Sequence, residues 1–154
     1  MSDEVRRIEV SRLVDAPAAR IFAYLTNADN HPCFDTSGMV RASADHAVLR
    51  GEGSVFVMDM HNAVKGEYQV ENHVVVHEPE RAIGWAPAEP GHDPAGHTFV
   101  WRLTPVDDDR TLVTLTYDWS AFTHLDMLSY LPVVNRDQLQ ASLDRVARAV
   151  VGSE

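Results

Sequence analysis

The sequence contains very little cysteine, and Cys33 is the only one in the chain. No disulfide can therefore form within it, and a reducing compartment is the simpler expectation. No apolar run approaches the roughly 20 residues that a membrane-spanning helix needs. The charged start, MSDEVRR, also lacks the apolar core of a secretory signal. Together these absences predict a cytoplasmic protein.

Positive charge is scarce as well. The formal net charge is −10, and Lys65 is the only lysine. Nucleic acids and anionic membranes both bind basic surfaces, so the sequence predicts neither of them as a partner. The near absence of lysine beside many arginines and alanines is typical of a GC-rich bacterial genome.

Motifs for metals and cofactors are missing too. The chain has no glycine-rich phosphate loop and no nucleophile elbow. His73 and His77 would share one strand face, but their spacing of about 13 Å is too long for one ion. The loop residues His92, Asp93 and His97 match no ligand spacing, and the run 107–109 is too short for a calcium loop. We therefore expect no cofactor and no metal.

What the chain does contain is a clear order of elements. Residues 5–14 alternate as a first strand, and the segment DAPAARIFAYLTN then predicts a helix with Asp15 as its N-cap. A proline-broken corner follows, with a short second helical turn. From Gly38 to Ser120 the apolar period is two, which predicts about six further antiparallel strands with one covered face. A length of 154 residues fits one domain, spanning 1–154.

One long amphipathic helix closes the sequence, in the stretch LPVVNRDQLQASLDRVARAV. Asn135 can cap it, with Gln138 in the capping-box position three residues later. The apolar stripe, which needs a large apolar partner such as the sheet, consists of Leu139, Leu143, Val146, Ala147 and Val150.

Three stretches carry a resemblance to a known family. They are SRLVDAPAARIFAYLTNADNHPCFDTSG, VENHVVVHEPERAIGW, and WRLTPVDDDRTLVTLTYDWS followed by the final helix. In this order they resemble the START-like, or helix-grip (SRPBCC), superfamily, and within it the bacterial polyketide cyclase/dehydrase and lipid-transport group. The resemblance implies an α+β helix-grip fold, with a curved antiparallel sheet of about seven strands around the C-terminal helix and two short helices after strand 1. It also implies a cavity between helix and sheet.

Strand parity indicates independently which side chains face that helix. Adaptable methionines and aromatic rings suit a flat or flexible apolar ligand, although the same side chains can simply fill a core. The predicted ligand-binding residues are Phe56, Met58, Met60, Tyr68, Asn72, Trp85, Phe99, Trp101, Tyr117, Leu139 and Leu143, and Val70 and Leu115 share their parity.

Several polar residues stand out against this apolar face. Asn72 lies between Val70 and Val74, where a buried amide must find a partner within the protein or in a ligand. Arg12 is also on the inward parity. We expect it either at a polar rim of the cavity, paired with Asp35 or Asp118, or reaching water by a bulge or an extended side chain.

His31 and Asp35, in the corner NHPCFDTSG, are weak catalytic candidates. A histidine and an acid at a cavity mouth can serve acid–base steps of cyclisation or dehydration. The alternative is that Asp35 and Ser37 organise a turn. Cys33 beside a proline is expected to be packed and inert.

The sequence therefore predicts a protein that binds a small hydrophobic molecule of polyketide, aromatic or acyl type, with or without cyclase/dehydratase activity. The alternative is a non-catalytic carrier, sensor or protein-partner module. A homodimer is the commonest assembly for such a chain.

Overall fold

The computed structural model describes residues 6–123, 131–132 and 134–151. The strands are β1 (Arg7–Val14), β2 (Val40–Ser43), β3 (Val55–Asn62), β4 (Gly66–Glu78), β5 (Ala82–Ala88), β6 (Thr98–Asp107) and β7 (Arg110–Asp118). The α-helices are α1 (Ala18–Thr26), α2 (His31–Phe34) and α3 (Arg136–Val151), with a 3-10 turn (Ala28–Asn30) before α2.

The described strands form one seven-stranded antiparallel sheet in the order β1-β7-β6-β5-β4-β3-β2. The first and last strands, β1 and β7, pair with each other. Each of the other five strand pairs joins two strands that are consecutive in the sequence. Register shifts between Val74 and Val76 and between Pro105 and Asp107 mark bulges, which increase twist and bend a strand. The predicted α+β helix-grip fold is confirmed.

The alternation in β4 has the expected consequence. Asn72 and Val74 are buried, whereas Glu67 and Gln69 on the other parity are exposed. Hydrophobic side chains from both the sheet and α3 form one core. Burial of this apolar face against α3 is what holds the helix to the sheet.

The beginning of α1 differs from the prediction. Its N-cap is Pro17, and no side chain bonds the first free N–H groups, so the expectation that Asp15 caps this helix is wrong. The chain between β1 and α1 is already fixed by Ala16, whose N–H donates to the Val14 carbonyl and whose carbonyl accepts the Thr111 hydroxyl at 2.9 Å. This local fit places Asp15 two residues too early to act as the cap.

The N-terminus of α3 matches its sequence signature. The Asn135 side-chain oxygen accepts the Gln138 N–H at 2.8 Å, and the Gln138 side-chain oxygen accepts the Asn135 N–H at 2.8 Å. This is a reciprocal capping box, which satisfies two N–H groups that the helix itself cannot pair. The predicted cap is confirmed.

The capping box yields a first prediction. Asn135→Ala removes the side-chain oxygen and should lower the free energy of unfolding by about 1 kcal/mol, measured by urea denaturation. Asn135→Asp keeps an oxygen in the same place and should unfold near the wild-type midpoint. An alanine variant as stable as wild type would contradict a stabilising role for this cap.

Candidate functional site

A cavity of about 280 Å³ lies between the sheet, the segment that follows α2, and the N-terminal half of α3. Its walls are mostly aromatic rings, methionines and aliphatic side chains, as parity predicted. From the sheet, the wall is made by Met58, Met60, Tyr68, Val70, Asn72, Trp85, Pro87, Phe99, Trp101 and Leu115. Val40 of β2 and Asn62 of β3 also belong to this sheet wall. From outside the sheet come His31, Phe34, Asp35, Thr36, Ser37, Met39, His97, Val134, Leu139 and Ser142.

Three residues that parity predicted for the wall lie behind it. Phe56 is covered by the rings of His31 and Trp85, whose centroids lie 5.3 and 5.8 Å away. Tyr117 is fully buried and stacks on Phe99 at 4.5 Å, so that Phe99 takes its place in the wall. Leu143, one turn beyond Leu139, is packed in the core. Parity identified the correct face, but neighbouring rings fill part of it.

Asn72 is the most informative polar residue of the wall. It is 5% exposed, and its side-chain oxygen is buried with no hydrogen-bond partner among the described residues. A buried polar group without a partner costs about 1–3 kcal/mol. No described residue therefore pairs with the Asn72 oxygen inside the protein.

Tyr68 lies on the same strand and closer to the hairpin between β3 and β4. Its hydroxyl accepts the Asn62 amide at 3.3 Å and points its own hydrogen to the Met39 sulfur at 3.9 Å. Sulfur is a weak acceptor, so this hydroxyl is only loosely held. It is a second polar group that a molecule in the cavity can reach.

His31 is buried at the start of α2 and is held from several sides. Its Nε2 lies 2.8 Å from the Leu25 carbonyl, and its ring stacks on Trp85 at 4.6 Å. A carbonyl only accepts, so Nε2 carries the hydrogen and Nδ1 of the neutral ring is an acceptor. Burial lowers the pKa of His31 to about 4, against a smaller opposing effect of the hydrogen bond to Leu25.

Asp35 organises the turn that follows α2. One carboxylate oxygen accepts the Ser37 hydroxyl at 2.7 Å and the Ser37 N–H at 3.2 Å. The other accepts the N–H groups of Gly38 at 3.0 Å and Val40 at 3.3 Å. These four bonds match the turn-forming alternative that the sequence offered, and they occupy the carboxylate at the cavity wall.

The segment 35–37 is also tied to α3. Thr36 donates its hydroxyl hydrogen to the Gln138 carbonyl, and the Thr36 and Ser142 hydroxyls lie 3.0 Å apart. Arg145 donates to the Asp35 carbonyl at 2.8 Å. These contacts fix one cavity wall against the N-terminal half of the helix.

Arg12 does not lie at the cavity, and the predictions of a rim position and of pairing with Asp35 or Asp118 are wrong. Its guanidinium pairs with Asp144 on α3 at 2.8 Å, and its side chain is 43% exposed. The long arginine side chain leaves the buried face for solvent, as the alternative of an extended side chain expected.

Phe34, Thr36, Met39 and His97 also contribute to the wall, and strand parity did not predict them. All four lie outside the strands, where parity carries no information. His97 follows Gly96, where an added Cβ would collide with the Ala121 carbonyl oxygen. A glycine at a strand boundary is a signal for such a close approach, but it does not identify the cavity.

The described residues contain no group of three or more histidine, cysteine or acidic side chains placed to hold a metal ion. None of their helices is long and apolar enough to cross a membrane. Cys33 is exposed rather than packed.

Comparison with known proteins gives both a family and a fold. The family described as polyketide cyclase / dehydrase and lipid transport matches residues 5–151. An uncharacterised protein of Mycobacterium tuberculosis is 29% identical over 115 residues, which is 75% of this chain and 48% of that protein. The chain thus spans about half the length of this curated relative.

Solved structures agree on the fold. The Zhui aromatase/cyclase from a Streptomyces species superposes with a TM-score of 0.64 at 20% identity, covering 94% of this chain and 93% of that one. A truncated norcoclaurine synthase from Thalictrum flavum gives a TM-score of 0.61 at 15% identity, covering both chains fully at 100%. At these identities the likeness establishes the fold alone.

The burial of His31 yields a second prediction. Its folded-state pKa of about 4 lies below the ordinary 6.5, so the unfolded chain binds a proton more readily. The contribution of His31 to stability should be constant above about pH 6.5 and fall by about 3 kcal/mol as the pH drops toward 4. Urea midpoints measured across this range would show the loss.

The matched control is His31→Gln, which keeps an N–H for the Leu25 carbonyl but does not titrate. Its stability should fall less between these pH values than that of wild type. A second control, His92→Gln in an exposed loop, should follow wild type. Equal pH dependence of wild type and His31→Gln would contradict the account.

Proposed function

The chain belongs to the polyketide cyclase / dehydrase and lipid transport family, and we propose that its cavity binds a small, largely apolar molecule. The observation that carries this proposal is the side-chain oxygen of Asn72, which is buried without a partner among the described residues in a largely apolar wall. A fold retains such a costly group where something else satisfies it. A ligand in the cavity would do so.

The size and character of the cavity support the same proposal. Its volume of about 280 Å³ is near the lower end of ordinary ligand pockets, which favours a compact molecule of a few rings or a short chain. Trp85 and Trp101 offer flat apolar surfaces, and Met58 and Met60 can adjust to an irregular outline. The members of the predicted ligand-binding set that line the cavity are thus suited to aromatic or polyketide-like molecules.

We propose binding and orientation, rather than acid–base chemistry, as the role of this site. A general base is most effective when its pKa lies near the working pH. A histidine with a pKa of about 4 is therefore a weak base at neutral pH. Asp35 is engaged by four hydrogen bonds within its own turn. Catalysis by His31 and Asp35 stays a prediction, and its signature would be turnover that Asp35→Asn abolishes while binding persists.

We also propose that residues 1–154 form one ligand-binding domain, which the family match over residues 5–151 supports. A homodimer stays a prediction. A carrier or sensor role is consistent with binding without chemistry. It differs from an enzyme in releasing its ligand unchanged, which mass analysis of the released molecule would detect.

A pair of variants tests cavity binding. Val70→Trp places a large ring in the cavity wall, whereas Val75→Trp places the same ring at an exposed position of the same strand. The neutral dye N-phenyl-1-naphthylamine should fluoresce with wild type and with Val75→Trp. Its affinity for Val70→Trp should fall about tenfold or more, which corresponds to at least about 1.4 kcal/mol.

Circular dichroism and urea unfolding would establish that both variants are folded. Equal dye affinity in wild type and a folded Val70→Trp would contradict binding in this cavity. Loss of dye binding in Val75→Trp as well would instead indicate that the dye uses the outer surface.

A further inference from the structure

The charges around the cavity restrict what it can hold. Among the described lining residues there is no lysine or arginine, and Asp35 is the only acid. Two arginines of the described residues are engaged outside the cavity: Arg145 is exposed and donates to the Asp35 carbonyl, and Arg12 pairs with Asp144 on the surface. A ligand carboxylate would therefore leave water without gaining a cation, which is strongly unfavourable.

The polar groups of the wall are instead suited to a neutral partner. Asn72 lies opposite Phe56 in the pairing of β3 with β4, and His31 contacts the same Phe56 ring at 5.3 Å. Both polar residues also flank the wall formed by β5, where His31 stacks on Trp85 and Asn72 pairs in register with Pro87. Asn72 and His31 therefore lie at the same end of the cavity.

Their hydrogen-bonding chemistry is complementary to a hydroxyl group. With Nε2 of His31 bonded to Leu25, Nδ1 is the ring atom left to accept a hydrogen from a ligand. The Asn72 amide can both accept and donate, and its oxygen has no partner among the described residues. A hydroxyl or a secondary amide donates and accepts as well, whereas a carboxylate only accepts.

We infer that the cavity selects neutral aromatic molecules whose hydroxyl or amide group pairs with Asn72 and His31, and that it rejects molecules with a free carboxylate. This inference rests on the proposed function, since it specifies the chemistry of a ligand for the same cavity. Asn72 is then a specificity-determining residue. Free fatty acids and aromatic acids fall outside the ligand class, and neutral phenols and enols fall inside it.

Three probes of nearly equal shape test this selectivity: 2-naphthol, 2-naphthoate and 2-methylnaphthalene. Near pH 7 a phenol, with a pKa of about 10, is neutral and a carboxyl group is ionised. Binding can be followed by quenching of the fluorescence of Trp85 and Trp101, which line the cavity. We expect wild type to bind 2-naphthol at least about tenfold more tightly than 2-naphthoate, and also more tightly than 2-methylnaphthalene.

Two substitutions test whether residues of the cavity wall cause this selectivity. Asn72→Leu should reduce the preference for 2-naphthol over 2-methylnaphthalene about tenfold, and its control Gln69→Leu, exposed on the same strand, should leave it unchanged. Met60→Lys adds a cation at a half-buried position of the wall and should improve binding of 2-naphthoate. Because Met60→Lys is expected to gain affinity for 2-naphthoate, misfolding cannot explain its effect.

The outcomes separate the two claims. If 2-naphthoate binds wild type as tightly as 2-naphthol, or if Asn72→Leu keeps the full preference for the phenol, the selectivity is overturned and ligand binding in the cavity stands. If none of the three probes binds wild type, the proposed function itself is overturned, and the selectivity with it.

Discussion

The burial of one face of α3 against the sheet is the contact on which the rest of the structure depends. The apolar stripe of α3 has different surroundings along the length of the helix. The part from Leu143 onward, with Val146 and Val150, is packed in the core. The N-terminal half of the helix, with Leu139 and Ser142, forms one side of the cavity. The same helix therefore closes a core at one end and bounds an internal space at the other.

The segment after α2 explains why the helix does not close down on the sheet at both ends. Thr36 lies against the first turns of α3 and bonds Gln138 and Ser142, while Arg145 holds the Asp35 carbonyl. Asp35 in turn fixes its own turn through four hydrogen bonds. This wall of satisfied backbone groups separates helix and sheet at the end where the cavity lies, because it cannot be compressed without breaking those bonds.

Local periodicity predicted the strands, the long helix and the inward face, and the resemblance to the helix-grip superfamily predicted how they are arranged. The capping box at Asn135 and Gln138 is a local signal, and it formed as expected. Strand parity fails where residues that are far apart in the sequence compete for the same space. Whether Phe56 lines the cavity depends on His31 and Trp85 covering it, and strand parity contains no information about that. Parity also misplaced Arg12, since a long side chain can leave a buried face for Asp144 and water.

The cavity combines a largely apolar wall with several polar groups. The Asn72 oxygen, which has no partner among the described residues, is the feature that separates a binding site from a packing defect. A defect would be stabilised by an apolar residue at this position, whereas a binding site requires the amide for its ligand. Native mass spectrometry of the protein gently purified from its own host tests this most directly. The account predicts that a neutral small molecule accompanies the chain and is released on unfolding. The mass of the bare chain alone, in preparations from every growth condition, would contradict it.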